Sequence, residues 1–248
     1  MLKRLISLGV WASLAVIASI WTPWLALVYS VTARRDPGRY TVGRWFRRAA
    51  VLWSTINPLW RFRTTGVRVR DPRRPYVAVA NHESFADIFL LSHLPWEMKW
   101  LSKEAIFKIP LMGWMMQMAG DIAVRRNDPH SRARALEACR DRLSKGVSVM
   151  IMPEGTRSAT GEVLRFHDGA FRLAVETGCP ILPIALAGTR TAIAKGSWVM
   201  NPATAVACVL PPVETTGLTL EDVPALRDRV RGMIEEARLA LMQELQPA

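Results

Sequence analysis

Cysteine, tyrosine and histidine are scarce in this chain, at 3, 3 and 4 among 248 residues. Cys139, Cys179 and Cys208 have neither an even count nor metal-ligand spacing. This excludes a disulfide-stapled scaffold and suits a reducing compartment. His82, His93, His130 and His167 are scattered, with no thiol or carboxylate at ligand spacing, so no metal site is expected. A Walker A sequence, a G-x-G-x-x-G fingerprint and a G-x-S-x-G elbow are all missing, which argues against P-loop, dinucleotide and serine-elbow chemistry. No internal repeat or low-complexity segment occurs. Acids are nearly missing from residues 1–75, where Asp36 and Asp71 face 14 Lys and Arg. Charge of any sign is missing from Leu5 to Ala33.

Those last two gaps locate the net charge of +12. All of it lies in the first 75 residues, and the remainder is balanced. A basic front end suits nucleic acid, an acidic protein or an anionic membrane. The uncharged stretch decides for the membrane. As a helix it would be about 43 Å long, more than a hydrocarbon core of about 30 Å requires. It is too long for the apolar region of a signal peptide. Six of the ten tryptophans (Trp11, Trp21, Trp24, Trp45, Trp53 and Trp60) lie among these first residues with the arginines, as at a headgroup interface. Nucleic acid is not an expected partner; anionic membrane lipids are. The next segment, Arg44 to Phe62, has Trp45, Ala49, Leu52, Ile56, Leu59 and Trp60 at helical spacing. Packing on the body is one reading of it. A helix lying in the membrane surface, arginines among lipid phosphates, is the favoured one. Basic residues flank the first segment on both sides, so a span and a dip into one leaflet both remain open.

From Tyr76 onward, short apolar runs alternate with helical patterns. Strands are expected at Tyr76–Ala80, Met98–Leu101, Asp121–Arg125, Val147–Met152, Ile181–Ala187 and Ala203–Leu210. Helices are expected from Ser84 to Leu94, Gly113 to Met118, Arg132 to Lys145, Gly169 to Thr177 and Leu220 to Leu245. Asp128 as N-cap, Pro129 at the first position and Gly146 past the end mark one of them well. The fold class is α/β, a layered αβα sheet. Two domains are expected: residues 1–62, a membrane-associated two-helix segment, and residues 63–248, the α/β domain. In such sheets ligands sit beyond the carboxyl ends of strands, so the loops after Ala80 and Met152 are where chemistry is expected.

The first loop reads Asn81-His82-Glu83-Ser84-Phe85-Ala86-Asp87. If His82 precedes the helix and Ser84 caps it, Asp87 falls in the first turn and can point back at the imidazole. Such an Asp fixes the tautomer of a general base. A capping box at Ser84 and Asp87, with His82 bonded to a carbonyl, is the plainer alternative. The second loop, Pro153-Glu154-Gly155-Thr156-Arg157-Ser158, offers close backbone approach, two hydroxyls and a planar fork for phosphate. Between them, Lys103 to Arg126 encloses an apolar middle suited to plain core or to a lipid tail.

These residues resemble those of the 1-acyl-sn-glycerol-3-phosphate (lysophosphatidic acid) acyltransferases, within the wider glycerolipid acyltransferases. Asn81, His82 and Asp87 match the family's NHxxxxD motif. Lys103, Pro110, Gly113, Gly120 and Arg126 match its second motif, and Pro153–Ser158 its PEGTRS motif. Phe166, Gly169, Ala170 and Phe171 follow in order, then Ile181-Leu182-Pro183-Ile184. The front end is similar to the two-helix membrane motif of bacterial members. Glu83, Arg125 and His167-Asp168 depart from residues common in the family.

The resemblance implies a glycerolipid-acyltransferase-type sheet. It implies acyl transfer from a thioester to the sn-2 hydroxyl of a lysophospholipid acceptor, giving phosphatidic acid in phospholipid biosynthesis. His82 would be the general base and Asp87 its orienting partner. Arg157, Gly155 and Thr156 would hold the acceptor phosphate with help from Arg126, while Asn81, Glu154, Lys103 and Ser158 support the site. No cofactor is implied; acyl-CoA or acyl-acyl carrier protein would be co-substrate. The implied location is the cytoplasmic face of the inner (plasma) membrane. Another acceptor on the same scaffold (a lyso-aminolipid, another lysophospholipid or glycerol 3-phosphate) is the first alternative. A non-catalytic lipid-binding protein is the second.

Overall fold

The short apolar runs form the middle of one sheet because they have no polar face to give to solvent. A computed structural model describes residues 1–246. Its seven strands are β1 (Trp60–Gly66), β2 (Val77–Ala80), β3 (Met98–Lys103), β4 (Ile122–Val124), β5 (Ser148–Ile151), β6 (Ile181–Ala187) and β7 (Ala203–Val209). They lie in the order β1-β7-β6-β2-β5-β3-β4. All neighbours are parallel except β6 and β7. β2, β5 and β6 are buried throughout.

Alternate residues of these strands serve two cores. Val77, Val79, Val149, Ile151 and Ala185 face one layer, built from α5 (Pro129–Ser144), α6 (Gly169–Thr177) and α7 (Val223–Glu244). Ala78, Ala80, Met150, Leu182, Ile184 and Leu186 face the other, which begins with Leu90 and Leu91 of α3 (Asp87–Ser92). The αβα layering expected from the sequence is therefore present. α5 carries the expected cap: Asp128 accepts the His130 and Ser131 N–H groups. A 3-10 turn, Leu220–Asp222, precedes α7, with Pro224 in its first turn, so the proline starts this helix instead of dividing it.

The front end differs from expectation in two ways. α1 (Leu2–Thr32) is followed by α2 (Tyr40–Ile56), which ends before Phe62. Residues 60–66 are β1, a strand the helical spacing concealed, and it runs through the expected boundary at residue 62. Second, α2 packs into the body more than it faces lipid. Val42, Phe46, Ala49 and Trp53 are buried, and so is Arg47. The Arg47 guanidinium donates to Asp121 Oδ1 at 2.5 Å and to the Met98 carbonyl, and lies over the Trp100 ring. Beside it Lys99 Nζ donates to Glu97 Oε1 and to the Arg39 carbonyl. Burial pushes the Glu97 carboxyl up and the Lys99 ammonium down, and their mutual attraction opposes both shifts. A Cβ at Gly43 would overlap Glu97 Oε1, so only glycine lets α2 approach this cluster. Helical spacing sees an apolar stripe; it does not see that an arginine inside it has buried acids waiting.

α1 is long and apolar enough to cross a membrane by length and composition. It is nevertheless fastened along its length to the body. Ser7 Oγ accepts the Met200 N–H, the Trp11 indole donates to the Trp198 carbonyl, and the Trp53 indole donates to the Val10 carbonyl. Further along, the Trp21 indole donates to the Trp45 carbonyl. Leu25 is buried in a cluster with Met115 and Met116 of α4 (Met112–Ala119). The opposite face leaves Leu8, Val16, Ile20, Trp24, Leu27 and Val31 exposed.

Candidate active site

His82 lies just beyond the carboxyl end of β2, and Asp87 opens α3. His82 Nδ1 and Asp87 Oδ2 are 2.7 Å apart. A carboxylate only accepts, so Nδ1 carries a proton, and in the neutral imidazole Nε2 keeps its lone pair. The imidazole is 15% exposed and Asp87 not at all, so the base reaches solvent and its partner does not. Asp87 Oδ2 also accepts the Glu83 and Ser84 N–H groups, at 2.8 and 3.0 Å, so the loop wraps the carboxylate. Ser84 differs from expectation. It does not cap α3, whose N-cap residue is Ala86; its hydroxyl donates to the Ile193 carbonyl.

The second loop is bonded directly to the first. Glu154 uses one oxygen for the His82 N–H (2.7 Å) and the other for the Leu164 N–H. The Ser158 N–H donates to the His82 carbonyl at 2.8 Å. Burial pushes the Glu154 carboxyl up to about 7, while the two N–H groups pull it down. Gly155 has φ +66°, a conformation glycine adopts without strain. Its carbonyl accepts from the Arg126 guanidinium, which joins the β4–α5 connection to the same loop. Thr156 is exposed and Arg157 half-buried.

Other candidates have structural bonds. The Asn81 amide exchanges two hydrogen bonds with the Leu186 backbone, tying β2 to β6. Ser158 Oγ accepts the Gly161 N–H. Lys103 is exposed at the end of β3 and, among the described residues, bonds none of the other candidates. Glu83 is buried and accepts from Arg238 Nε of α7 at 2.6 Å. Burial raises its carboxyl, and the Arg238 bond opposes this. Asp168 pairs with Arg227, which offsets its negative charge, and the exposed Arg125 pairs with Asp128 and Glu104.

Sequence reasoning missed the turn Thr189–Thr191 and its neighbour Lys195. Thr189 donates to Asp87 Oδ1, Arg190 donates to the Thr160 carbonyl, and Lys195 Nζ donates to the Arg157 carbonyl. These are ordinary residues of a loop, about a hundred positions from Asp87, and no spacing rule connects them.

An apolar cavity of about 310 Å³ lies between α1, α2 and the residues 106–116. Phe85 and Phe89, which follow His82 in the chain, form part of its wall with Ile109, Met112 and Met116. The apolar middle of the Lys103–Arg126 stretch therefore lines a cavity. Among the described residues, no three His, Cys, Asp or Glu side chains gather where a metal could sit.

The sequence model of the Acyltransferase family matches residues 61–187, just over half of the chain. The chain is 40% identical over 151 residues to the chloroplastic 1-acyl-sn-glycerol-3-phosphate acyltransferase of Brassica napus, covering 60% of this chain and 44% of that one. It is 35% identical over 173 residues to the human 1-acyl-sn-glycerol-3-phosphate acyltransferase alpha, covering 69% and 61%. It thus spans about half the length of the curated relatives it matches. The crystal structure of the 1-acyl-sn-glycerophosphate (LPA) acyltransferase from Thermotoga maritima is similar over 99% of both chains, with a TM-score of 0.75 at 24% identity, a likeness of fold. With its family match running from β1 to the end of β6, through both loops of the site, the chain belongs to the acyltransferase family.

Proposed function

We propose that the protein transfers a fatty acyl group from an acyl thioester to the sn-2 hydroxyl of 1-acylglycerol 3-phosphate, giving phosphatidic acid. The observation that carries this reading is the His82–Asp87 contact at 2.7 Å, which leaves His82 Nε2 as a partly exposed base. His82 takes the hydroxyl proton as the oxygen attacks the thioester carbonyl, and Asp87 stabilises the imidazolium that forms. The tetrahedral intermediate collapses with loss of the thiolate, which takes up the proton from His82. Arg157, with the Gly155 and Thr156 backbone, holds the acceptor phosphate, and Arg126 braces that loop. Glu154 and Ser158 keep the two loops in register; Asn81 holds the strand behind them, and Lys103 adds positive charge at the neighbouring strand end. The cavity behind Phe85 and Phe89 suits an acyl tail, which buries apolar surface there at about 25 cal/mol per Å². No cofactor takes part, and the donor is acyl-CoA or acyl-acyl carrier protein.

Residues 1–62 are proposed as the membrane-associated segment and 63–248 as the acyl-transfer domain, with β1 joining them. α1 then rests in one leaflet on its exposed stripe of Leu8, Val16, Ile20, Trp24 and Leu27. Its bonds from Ser7 and Trp11 to Met200 and Trp198 of the body, and the packing of Leu25 against Met115 and Met116 further along, support this over a span. The body works at the cytoplasmic face, where acyl thioesters and anionic lipids meet.

The test is an acceptor panel with purified protein in mixed vesicles. Lysophosphatidic acid, glycerol 3-phosphate, lysophosphatidylcholine and a lyso-aminolipid are each offered with one acyl thioester. Turnover should be highest with lysophosphatidic acid and abolished by His82→Ala. A better acceptor from the panel would replace the proposed one, and substantial turnover by His82→Ala would remove His82 as base.

A further inference from the structure

Asp87 has two carboxylate oxygens, and the His82 loop uses only one. Oδ2 takes the imidazole and two backbone N–H groups. Oδ1 takes the hydroxyl of Thr189, which arrives from the connection after β6. Both residues are fully buried. Among the described residues nothing else bonds Oδ1. The turn and the residues just after it also meet the same loop. The Arg190 backbone faces the buried Glu83 carboxylate, and the Ile193 carbonyl accepts from Ser84.

We propose that Thr189 is a positioning residue for the acyl-transfer step, acting through Asp87 on His82. With three donors on Oδ2 alone, Oδ1 would be unheld and the carboxylate could still twist about its Cβ–Cγ bond, tilting its plane against the imidazole. The Thr189 hydroxyl anchors the second oxygen, so the plane of the carboxylate, and with it the plane of the imidazole, has one setting. A second effect is electrostatic. A buried carboxylate that must stabilise an imidazolium has to remain an anion, and a donor on the free oxygen favours that state. Thr189 is fully buried and bonds Asp87, so its influence belongs in turnover and not in affinity.

The inference rests on the reading of His82 as base, and its test separates the two. Thr189→Val keeps the shape of the side chain and removes the donor. It should lower kcat by about tenfold to a hundredfold, as loss of an outer partner of an oriented imidazole does elsewhere, with the KM of acceptor and donor unchanged. Thr189→Ser should restore most of kcat. Thr189→Ala and Thr189→Ser lack the same methyl group and differ only in the hydroxyl, so their kcat ratio reads the hydrogen bond even if the valine variant folds poorly. In a His82→Ala background, Thr189→Val should change the residual rate no further. A full kcat in Thr189→Val or Thr189→Ala would overturn the proposal, as would an equal loss in the serine and alanine variants or an additive loss on top of His82→Ala. An active His82→Ala enzyme would instead remove the base reading itself.

Discussion

Glu154 binds two loops with one carboxylate, and its titration should be visible in stability. Its folded value, about 7, lies above its ordinary 4.5, because burial penalises the anion more than two N–H donors reward it. The folded state therefore holds more protons than the unfolded state between those values. Its contribution is fully present below pH 4.5 and is lost as pH rises through 7. Glu154→Gln removes this slope. Denaturant unfolding at several pH values should show a curve flatter than wild type by on the order of 1–3 kcal/mol across that window; parallel curves would contradict the assignment. Arg157 makes a different residue-scale prediction. In the proposed role Arg157 holds the acceptor phosphate, so Arg157→Ala should raise the acceptor KM by roughly tenfold to a hundredfold. An unchanged KM would leave Arg126 or Lys195 as the phosphate ligand.

At the scale of elements, α2 carries two neighbouring arginines with opposite fates. Arg47 is buried against Asp121 and Glu97, whereas Arg48 is exposed over Trp45. Arg47→Ala strands buried acids without a partner and should cost about 3–5 kcal/mol in unfolding measurements. Arg48→Ala should stay within about 0.5 kcal/mol of wild type, as surface changes do. It should weaken sedimentation with anionic vesicles, where each surface cation contributes on the order of 1 kcal/mol. Equal stability of the two variants would show that α2 is not docked as described. The positions of helices and strands in the body were largely legible. Asp128, Pro129 and Gly146 delimit α5 through local capping chemistry, and the apolar runs of β2, β5 and β6 have no amphipathic reading. β1 was not legible, because Trp60 and Phe62 continue a helical spacing and only the pairing with β7 makes them a strand.

For the whole molecule, the proposed membrane attachment joins a body of balanced charge to a basic, apolar front end. The exposed stripe on α1 sets Leu8, Val16, Ile20, Leu27 and Val31 along one face of the front end. Val16→Lys with Ile20→Lys should reduce vesicle binding even when anionic lipid is abundant, because the attachment proposed for α1 is mainly apolar. Raising salt should weaken wild-type binding only in part, since screening acts on the arginines and not on the stripe. Complete release by salt alone would make charge the dominant anchor. Removing the whole front end would be a poor test, because Trp53 and Arg47 are part of the packed structure.

The chain by itself determined the α/β class, the basic and Trp-rich front end, and the two loops that carry the candidate site residues, and it left the pairing of His82 with Asp87 as one of two readings. Each of these follows from local spacing, from composition or from a strand end placed before a helix start. Tertiary structure alone decided that α2 is docked, that Arg47 is buried against Asp121, that Glu154 holds the His82 loop, and that Thr189 occupies the second oxygen of Asp87. These are contacts between residues many positions apart. A side chain's periodicity reports which face it takes; what waits on that face depends on how distant strands are ordered in the sheet.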